Sequence, residues 1–209
     1  MLQLTLPNVL QINRERSSAD PTIYGNNLTI VGDVHGQYED FAFMLQNPEL
    51  GGYPSSLNQF IFNGDMVDRG PMGVEIVVVL LVCKLLCTES IHILRGNHET
   101  REQTDSYGFQ TEVLKKYDAE VYEQFQSFFN TLPVAAIVEN SIFVTHGGFG
   151  PEVQHFTTSD INQLDRMGEV REGPIYDLLW PGKKPHSTKP FVPFHVHISY
   201  FTFLFCVHF

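Results

Sequence analysis

Apolar residues in this chain fall into short runs, each closed by a polar or glycine-containing loop. Leu28 to Asp33 (LTIVGD) is short and β-branched, and Gln59 to Asp65 (QFIFNGD) and Ile91 to Arg95 (IHILR) repeat that form, so each predicts a strand. Between them, Gln37 to Gln46 places Phe41, Met44 and Leu45 at helical spacing. Gly51, Gly52 and Pro54 mark a loop, and Pro71 suits the first position of a helix running to about Leu86. That helix is apolar nearly all round (VEIVVVLLVCKLL), which predicts burial. Residues 105 to 130 read as helical, with Phe109, Val113, Tyr117, Val121 and Phe125 four apart. Two further strands, Val134–Val138 and Ser141–Thr145, are joined by a tight turn at Glu139–Asn140. Residues 1–27 read as irregular, and no internal repeat is present. Strands alternating with helices imply βαβ units, an α/β or α+β domain, and a ligand crevice beyond the carboxyl ends of the strands.

Composition narrows the function. The 209 residues are 43% hydrophobic and 18% charged, enough to bury a core, with a formal net charge of −11. An acidic chain of this kind lacks the basic stripe of a nucleic-acid binder. A phosphate site would have to make its own positive field from metals or arginines. Cys83, Cys87 and Cys206 form neither zinc-like pairs nor an even disulfide framework, and Cys83 and Cys87 read as small buried hydrophobes in a reducing compartment. The N-terminus has no basic region of the signal-peptide kind. From Phe191 the chain is rich in Phe and free of Asp, Glu, Lys and Arg, but Pro193 and three histidines suit a membrane anchor poorly. Cytoplasmic or nuclear placement is the corresponding expectation.

Four motifs stand where predicted strands end: GDVHGQ (Gly32–Gln37), GDMVDRG (Gly64–Gly70), GNHE (Gly96–Glu99) and HGG (His146–Gly148). Singly, each is an ordinary loop, cap or core histidine. Together and in order, they predict four loops converging on one rim of a sheet. Asp33 and His35 offer an oxygen and a nitrogen, a mixed set that suits Mn, Fe or Zn better than Mg alone. Asp65 can bridge two cations through its two oxygens, and Asn97 and His146 can complete a second site. Two cations roughly 3.5–4 Å apart can clamp a phosphate and make a hydroxide available for in-line attack. His98 is better used as a general acid for the departing alkoxide, with Asp68 to orient it. Arg69 can grip phosphate oxygens with its planar fork. His92, inside a strand, reads as structural; His155 and His186 have no evident partner.

These motifs, with LRGNHET, YGFQTEVLKKY, THGGF and YDLLW, resemble the eukaryotic phosphoprotein phosphatase family of serine/threonine phosphatases, nearest the branch that carries tetratricopeptide repeats or the neighbouring calcium-regulated branches. The resemblance spans about Leu28 to Trp180. It implies a metallophosphoesterase β-sandwich flanked by helices, phosphoprotein substrates, and two divalent ions, Mn, Fe or Zn. Asp33, His35 and Asp65 would hold the first ion; Asp65, Asn97 and His146 would hold the second. His98 with Asp68 would be the acid pair, and Arg69 and Asn97 would meet substrate. Bacterial dinucleoside-tetraphosphate hydrolases share part of the pattern but are less similar in the HGG and LLW elements.

The chain departs from the family after Trp180, where Pro-Gly-Lys replaces an acidic Asp-Pro segment. The family's later metal-binding His, second phosphate-binding Arg and site Tyr cannot be matched, and 181–209 reads as a separate Phe- and His-rich tail. The expectation is therefore a second sheet that is largely missing, a first sheet whose apolar face needs a regulatory subunit or other partner, and a weakened second metal. His195 and His197 are the candidates for the missing ligand. Phe201, Phe203 and Phe205 alternate and are able to add a strand. A catalytically dead binding module and a nucleotide-directed phosphoesterase are the competing functions.

Overall fold

Alternation along the central strands decides which way each side chain faces, and hence how the layers stack. The computed structural model describes residues 6–14, 26–150 and 152–180, and the backbone of 202–205. Strands β2 (Asn27–Val31), β3 (Asn58–Phe62) and β4 (Ile91–Ile93) form a parallel sheet in that order. The pairing runs from Asn27 opposite Asn58 to Val31 opposite Phe62, and from Phe60 opposite Ile91 to Phe62 opposite Ile93. Phe60, Phe62, Ile91 and Ile93 face one way, into a core with Phe41, Leu45, Val74, Ile76, Val77, Leu80, Phe109, Val113 and Phe129. Those partners come from helices α1 (Tyr38–Gln46), α2 (Gly73–Leu86), α4 (Phe109–Lys116) and α5 (Ala119–Thr131).

Ile61 faces the other way, together with Ile12, Ala136, Val138 and Val144. These come from a second sheet of order β1-β5-β6-β7, made of β1 (Val9–Ile12), β5 (Ala135–Val138), β6 (Ile142–Thr145) and β7 (Thr202–Phe205). Its far face, with Val9, Ala135, Ile137 and Phe143, packs on Ile161 of α6 (Thr158–Asn162) and Ile175, Leu178 and Leu179 of α7 (Pro174–Leu179). The result is helix, sheet, sheet, helix, the flanked sandwich that the resemblance implies.

Several expectations change in detail. The segment before Asn27 is not wholly irregular: Val9–Ile12 pairs in parallel with Ala135–Val138. Four residues are too few for a period to show, and the strand exists because β5 offers it an edge. The apolar face of the first sheet is not left open, because β1, β5 and β6 cover it. β7, in the segment read as a tail, pairs in parallel with β6 through Thr202 to Phe205, where the alternation allows a strand.

Helix α2 is not buried all round. Ile76, Val77 and Leu80 are inside, but Leu85 and Leu86 are 81% and 78% exposed, and Cys83 and Cys87 are half-buried. Residues 101–131 form three helices rather than one, with α3 (Arg101–Tyr107) ahead of α4 and α5. Gly108 at φ +118° breaks the first junction, and Asp118 caps α5 by accepting from the Val121 N–H at 2.9 Å. The β5–β6 turn is as predicted: Glu139 and Asn140 both have positive φ, 53° and 51°, as a two-residue hairpin of this twist requires.

Candidate metal centre

The first two motif loops interlock through their main chains, and side-chain bonds tie the Gly-Asn-His-Glu and His-Gly-Gly loops to them. Val34 and His35 both donate to the Asp65 carbonyl at 2.9 Å, Gly36 to Met66 at 3.0 Å, and Gly70 to His35 at 2.9 Å. Such close approach leaves no room for side chains. A Cβ on Gly64 would lie 2.4 Å from the Gly96 Cα, and one on Gly70 2.3 Å from the His35 carbonyl oxygen. His35, Asp65, Asp68 and Arg69 all take φ between 46° and 69°, a region that non-glycine residues seldom occupy and that is held here by the surrounding bonds. Three of the loops leave the β2-β3-β4 sheet, whereas the His146 loop leaves β6 of the other sheet. The convergence is therefore across the sandwich, not along one rim.

Asp65 is wholly buried at the centre. Its Oδ2 lies 3.5 Å from His35 Nε2, which is 3.7 Å from Asp33 Oδ2. Its Oδ1 lies 3.3 Å from His146 Nε2, which is 2.8 Å from Asn97 Oδ1. Main-chain carbonyls orient both imidazoles: Val67 accepts from His35 Nδ1 at 2.8 Å and Asn63 from His146 Nδ1 at 2.7 Å. With Nδ1 as donor, the Nε2 lone pair of neutral His35 faces the carboxylate. His35 Nε2 and Asp65 Oδ2 have no hydrogen-bond partner although both are buried. Two electron-rich atoms so placed repel one another unless a cation lies between them. Ligand atoms about 2.0–2.2 Å from one ion stand roughly 3–3.5 Å apart, and these separations are close to that. The residues present thus fit divalent metal.

Asp33, Asp65 and His146 offer ligand atoms within 4.8 Å of one another, as do His35, Asp65 and His98. His98 is held differently from the other two histidines: its Nδ1 meets Asp68 Oδ2 at 2.8 Å, with both side chains buried. Asp68 Oδ1 accepts from the Phe109 N–H at 2.9 Å, so the first residue of α4 fixes the carboxylate that fixes the histidine. The His98 ring meets His35 and Tyr107 edge-on, at 4.7 and 5.0 Å between centroids. Arg69 is exposed at the rim, with its backbone N–H donating to the Tyr107 carbonyl at 3.1 Å.

The field within the cluster is strong. Burial works against charge on both Asp65 and His146, yet each holds the other ionised, so the carboxyl is pulled below its ordinary value and the imidazole is held above its own. Burial pulls His35 down, towards the neutral ligand form. Burial also opposes charge on His98, but the hydrogen bond to Asp68 and the Asp65 charge outweigh it and raise that pKa. All eight residues singled out in the sequence stand on these interlocked loops. Of the remaining histidines, His92 is half-buried on β4 and His155 is exposed. His186, His195, His197 and His208 lie outside the described residues.

Residues 27–205 match the calcineurin-like phosphoesterases. The chain belongs to that family. The human and rat proteins called serine/threonine-protein phosphatase 5 are 42% identical to it over 161 residues, which is 77% of this chain and 32% of theirs. The Arabidopsis thaliana protein of the same name is 38% identical over 183 residues, 87% of this chain and 32% of its own length. The chain thus spans about a third of the curated relatives it matches. A Saccharomyces cerevisiae protein serine/threonine phosphatase, described as similar to human phosphatase PP5, superposes with a TM-score of 0.74 at 30% identity, covering 83% of this chain and 52% of that one. A cold-active protein-tyrosine phosphatase from a Shewanella species shares the fold, with a TM-score of 0.55 at 17% identity.

Proposed function

We propose that this chain is the phosphoesterase part of a metal-dependent protein serine/threonine phosphatase, with the site residues of its catalytic unit all within 28–180 and β7 of the segment 181–209 adding an edge strand to its second sheet. One observation carries the chemistry: a buried carboxylate, Asp65, stands between two histidine-containing donor groups, with the buried His98–Asp68 pair beside them. Asp33, His35 and Asp65 would hold one ion, and Asp65, Asn97 and His146 the other. The mixed oxygen and nitrogen donors favour Mn, Fe or Zn. When bound, such ions supply a nucleophile from water near neutral pH and offset phosphoryl charge.

The rest falls to side chains. His98, whose proton Asp68 helps retain, donates to the departing serine or threonine oxygen. Arg69, exposed at the rim, orients the phosphoryl group through two parallel N–H bonds. Phosphoprotein substrates follow from the likeness to the phosphatase 5 proteins. A second function, metal binding without turnover, would rest on the same donor cluster.

Phosphate release from a phosphoserine peptide in Mn²⁺ separates the two. Turnover should fall by roughly 10²–10⁴ in His98→Asn, the usual contribution of a general acid. Asp68→Asn should fall by a similar factor with Mn²⁺ affinity retained. Metal uptake by wild type with no turnover above these variants would establish the binding function instead.

A further inference from the structure

Glu99 closes the Gly-Asn-His-Glu motif, yet nothing in the proposed chemistry uses it. Its side chain is completely buried. Oε2 accepts from the Asp65 N–H at 2.7 Å and the Gly96 N–H at 2.9 Å, while Oε1 accepts from the Met66 N–H at 2.9 Å. Three N–H groups from two loops thus converge on one carboxylate, a side chain that only accepts when ionised. Two of them belong to the turn at Asp65, where φ is +54°. A left-handed non-glycine residue costs on the order of 1–3 kcal/mol and persists only where its surroundings over-determine it. Here Glu99 supplies that determination from one side, and the N–H groups of Val34 and His35, bonded to the Asp65 carbonyl, supply it from the other. The same residue aims Oδ1 at His146 and Oδ2 at His35. Any relaxation of its backbone would swing both oxygens away from their partners.

We propose that Glu99 is a positioning residue for the metal centre: it locks the Asp65 turn so that the two carboxylate oxygens are presented to both donor groups at once. This rests on the two-metal function proposed above. The molecule also holds a matched carboxylate with a purely structural task. Glu112 is buried in α4 and accepts from the Gly73 and Val74 N–H groups at the start of α2, at 3.1 and 2.9 Å. It also accepts from Lys116 Nζ at 2.8 Å, and none of these bonds involves Asp65 or another donor residue.

The test is calorimetric titration of the purified chain with Mn²⁺ alone, comparing wild type, Glu99→Gln and Glu112→Gln, with thermal melting beside it. The glutamine amide turns an N–H₂ towards backbone donors at position 99. Both variants should melt earlier than wild type. Glu99→Gln should weaken Mn²⁺ binding ten- to a hundredfold, the usual loss when a partner of a metal ligand is removed, and Glu112→Gln should leave it unchanged. Where Glu99→Gln does not fold, Glu99→Asp, which keeps the charge but draws the carboxylate back by one methylene, carries the same expectation. Folded position-99 variants with wild-type affinity would overturn the inference alone. So would an equal loss in Glu112→Gln, which would make the effect one of general stability. A wild-type chain that takes up no Mn²⁺ would overturn the two-metal function, and this inference with it.

Discussion

The histidines facing Asp65 take their orientation from the Asn63 and Val67 carbonyls, and Asp68 takes its own from the Phe109 N–H. Residue types and their order are legible in sequence, because metal and acid–base chemistry demand particular side chains. The main-chain partners are not, since every residue carries the same N–H and C=O. Glu99 stands in a legible motif, but its task shows only in the N–H groups that meet it. His92 shows the same limit. Its place within a strand marks it as structural, but its environment appears only in the fold. There its Nε2 is buried without a hydrogen-bond partner. Burial, with Lys84 adding to it, pushes its pKa from 6.5 down to about 4. Above pH 6.5 the imidazole is neutral in both folded and unfolded chains and has no effect on stability. Between pH 6.5 and 4 the unfolded chain takes up a proton that the folded chain refuses, so stability falls as the solution is acidified, by up to about 3 kcal/mol. Denaturant midpoints measured from pH 7 to 4.5 should therefore drop less in His92→Val than in wild type. Parallel curves would show that His92 is not the group responsible.

Elements were easiest to read where a strand or helix is long and one face is buried. They were hardest where a neighbour decides. β1 is a strand because β5 is beside it, and α2 keeps an apolar outer stripe that composition alone would have placed inside. The stretch 101–131 is broken twice, before Phe109 and after Lys116, and the period from Phe109 to Phe125 survives the second break because Phe109, Phe125 and Phe129 all serve one core. Gly108 makes the first break possible, and its cost of substitution can be isolated: a Cβ there meets nothing within 4 Å, while φ is +118°. Gly108→Ala therefore introduces backbone strain without a clash. It should destabilise by about 1–3 kcal/mol, read as a lower denaturant midpoint. The strain falls one residue before Phe109, whose N–H holds Asp68. Phosphopeptide turnover of the folded variant should consequently fall, while Mn²⁺ affinity, set by other loops, should hold. Loss of stability with unchanged turnover would show that α4 does not transmit its position to Asp68.

At the scale of the whole molecule, two buried arginines tie the chain's first described residues to the site in a chain of net charge −11. Burial pulls Arg95 down to about 10, so it stays charged at neutral pH. It donates to the carbonyls of Glu99 and Arg166, at 3.0 and 2.9 Å, and to Asn130 at 2.8 Å. Arg166 in turn donates to the Asn8 side chain and to the carbonyls of Leu6 and Thr131. Asn8 completes the path by donating to Ile161 and Leu164 at 2.7 and 2.8 Å, while its carbonyl accepts from Val134 and Ala135. Segments more than 150 residues apart are thus joined by side chains whose partners are nearly all main chain. No spacing rule predicts such a tie. Asn8→Ala would remove the side-chain donor of the Leu164 carbonyl and leave part of a guanidinium unpaired, while the Ile161 carbonyl keeps the Leu164 N–H. At about 1–3 kcal/mol for each unpaired group, tempered by relaxation, a loss of roughly 2–4 kcal/mol is expected, with the denaturant slope unchanged. Arg166→Met should cost a similar amount. Because both substitutions break the same Asn8–Arg166 contact, the double variant should lose less than the sum of the two single variants in a double-mutant cycle. Strictly additive losses would mean that the two residues act apart and that each tie holds by itself.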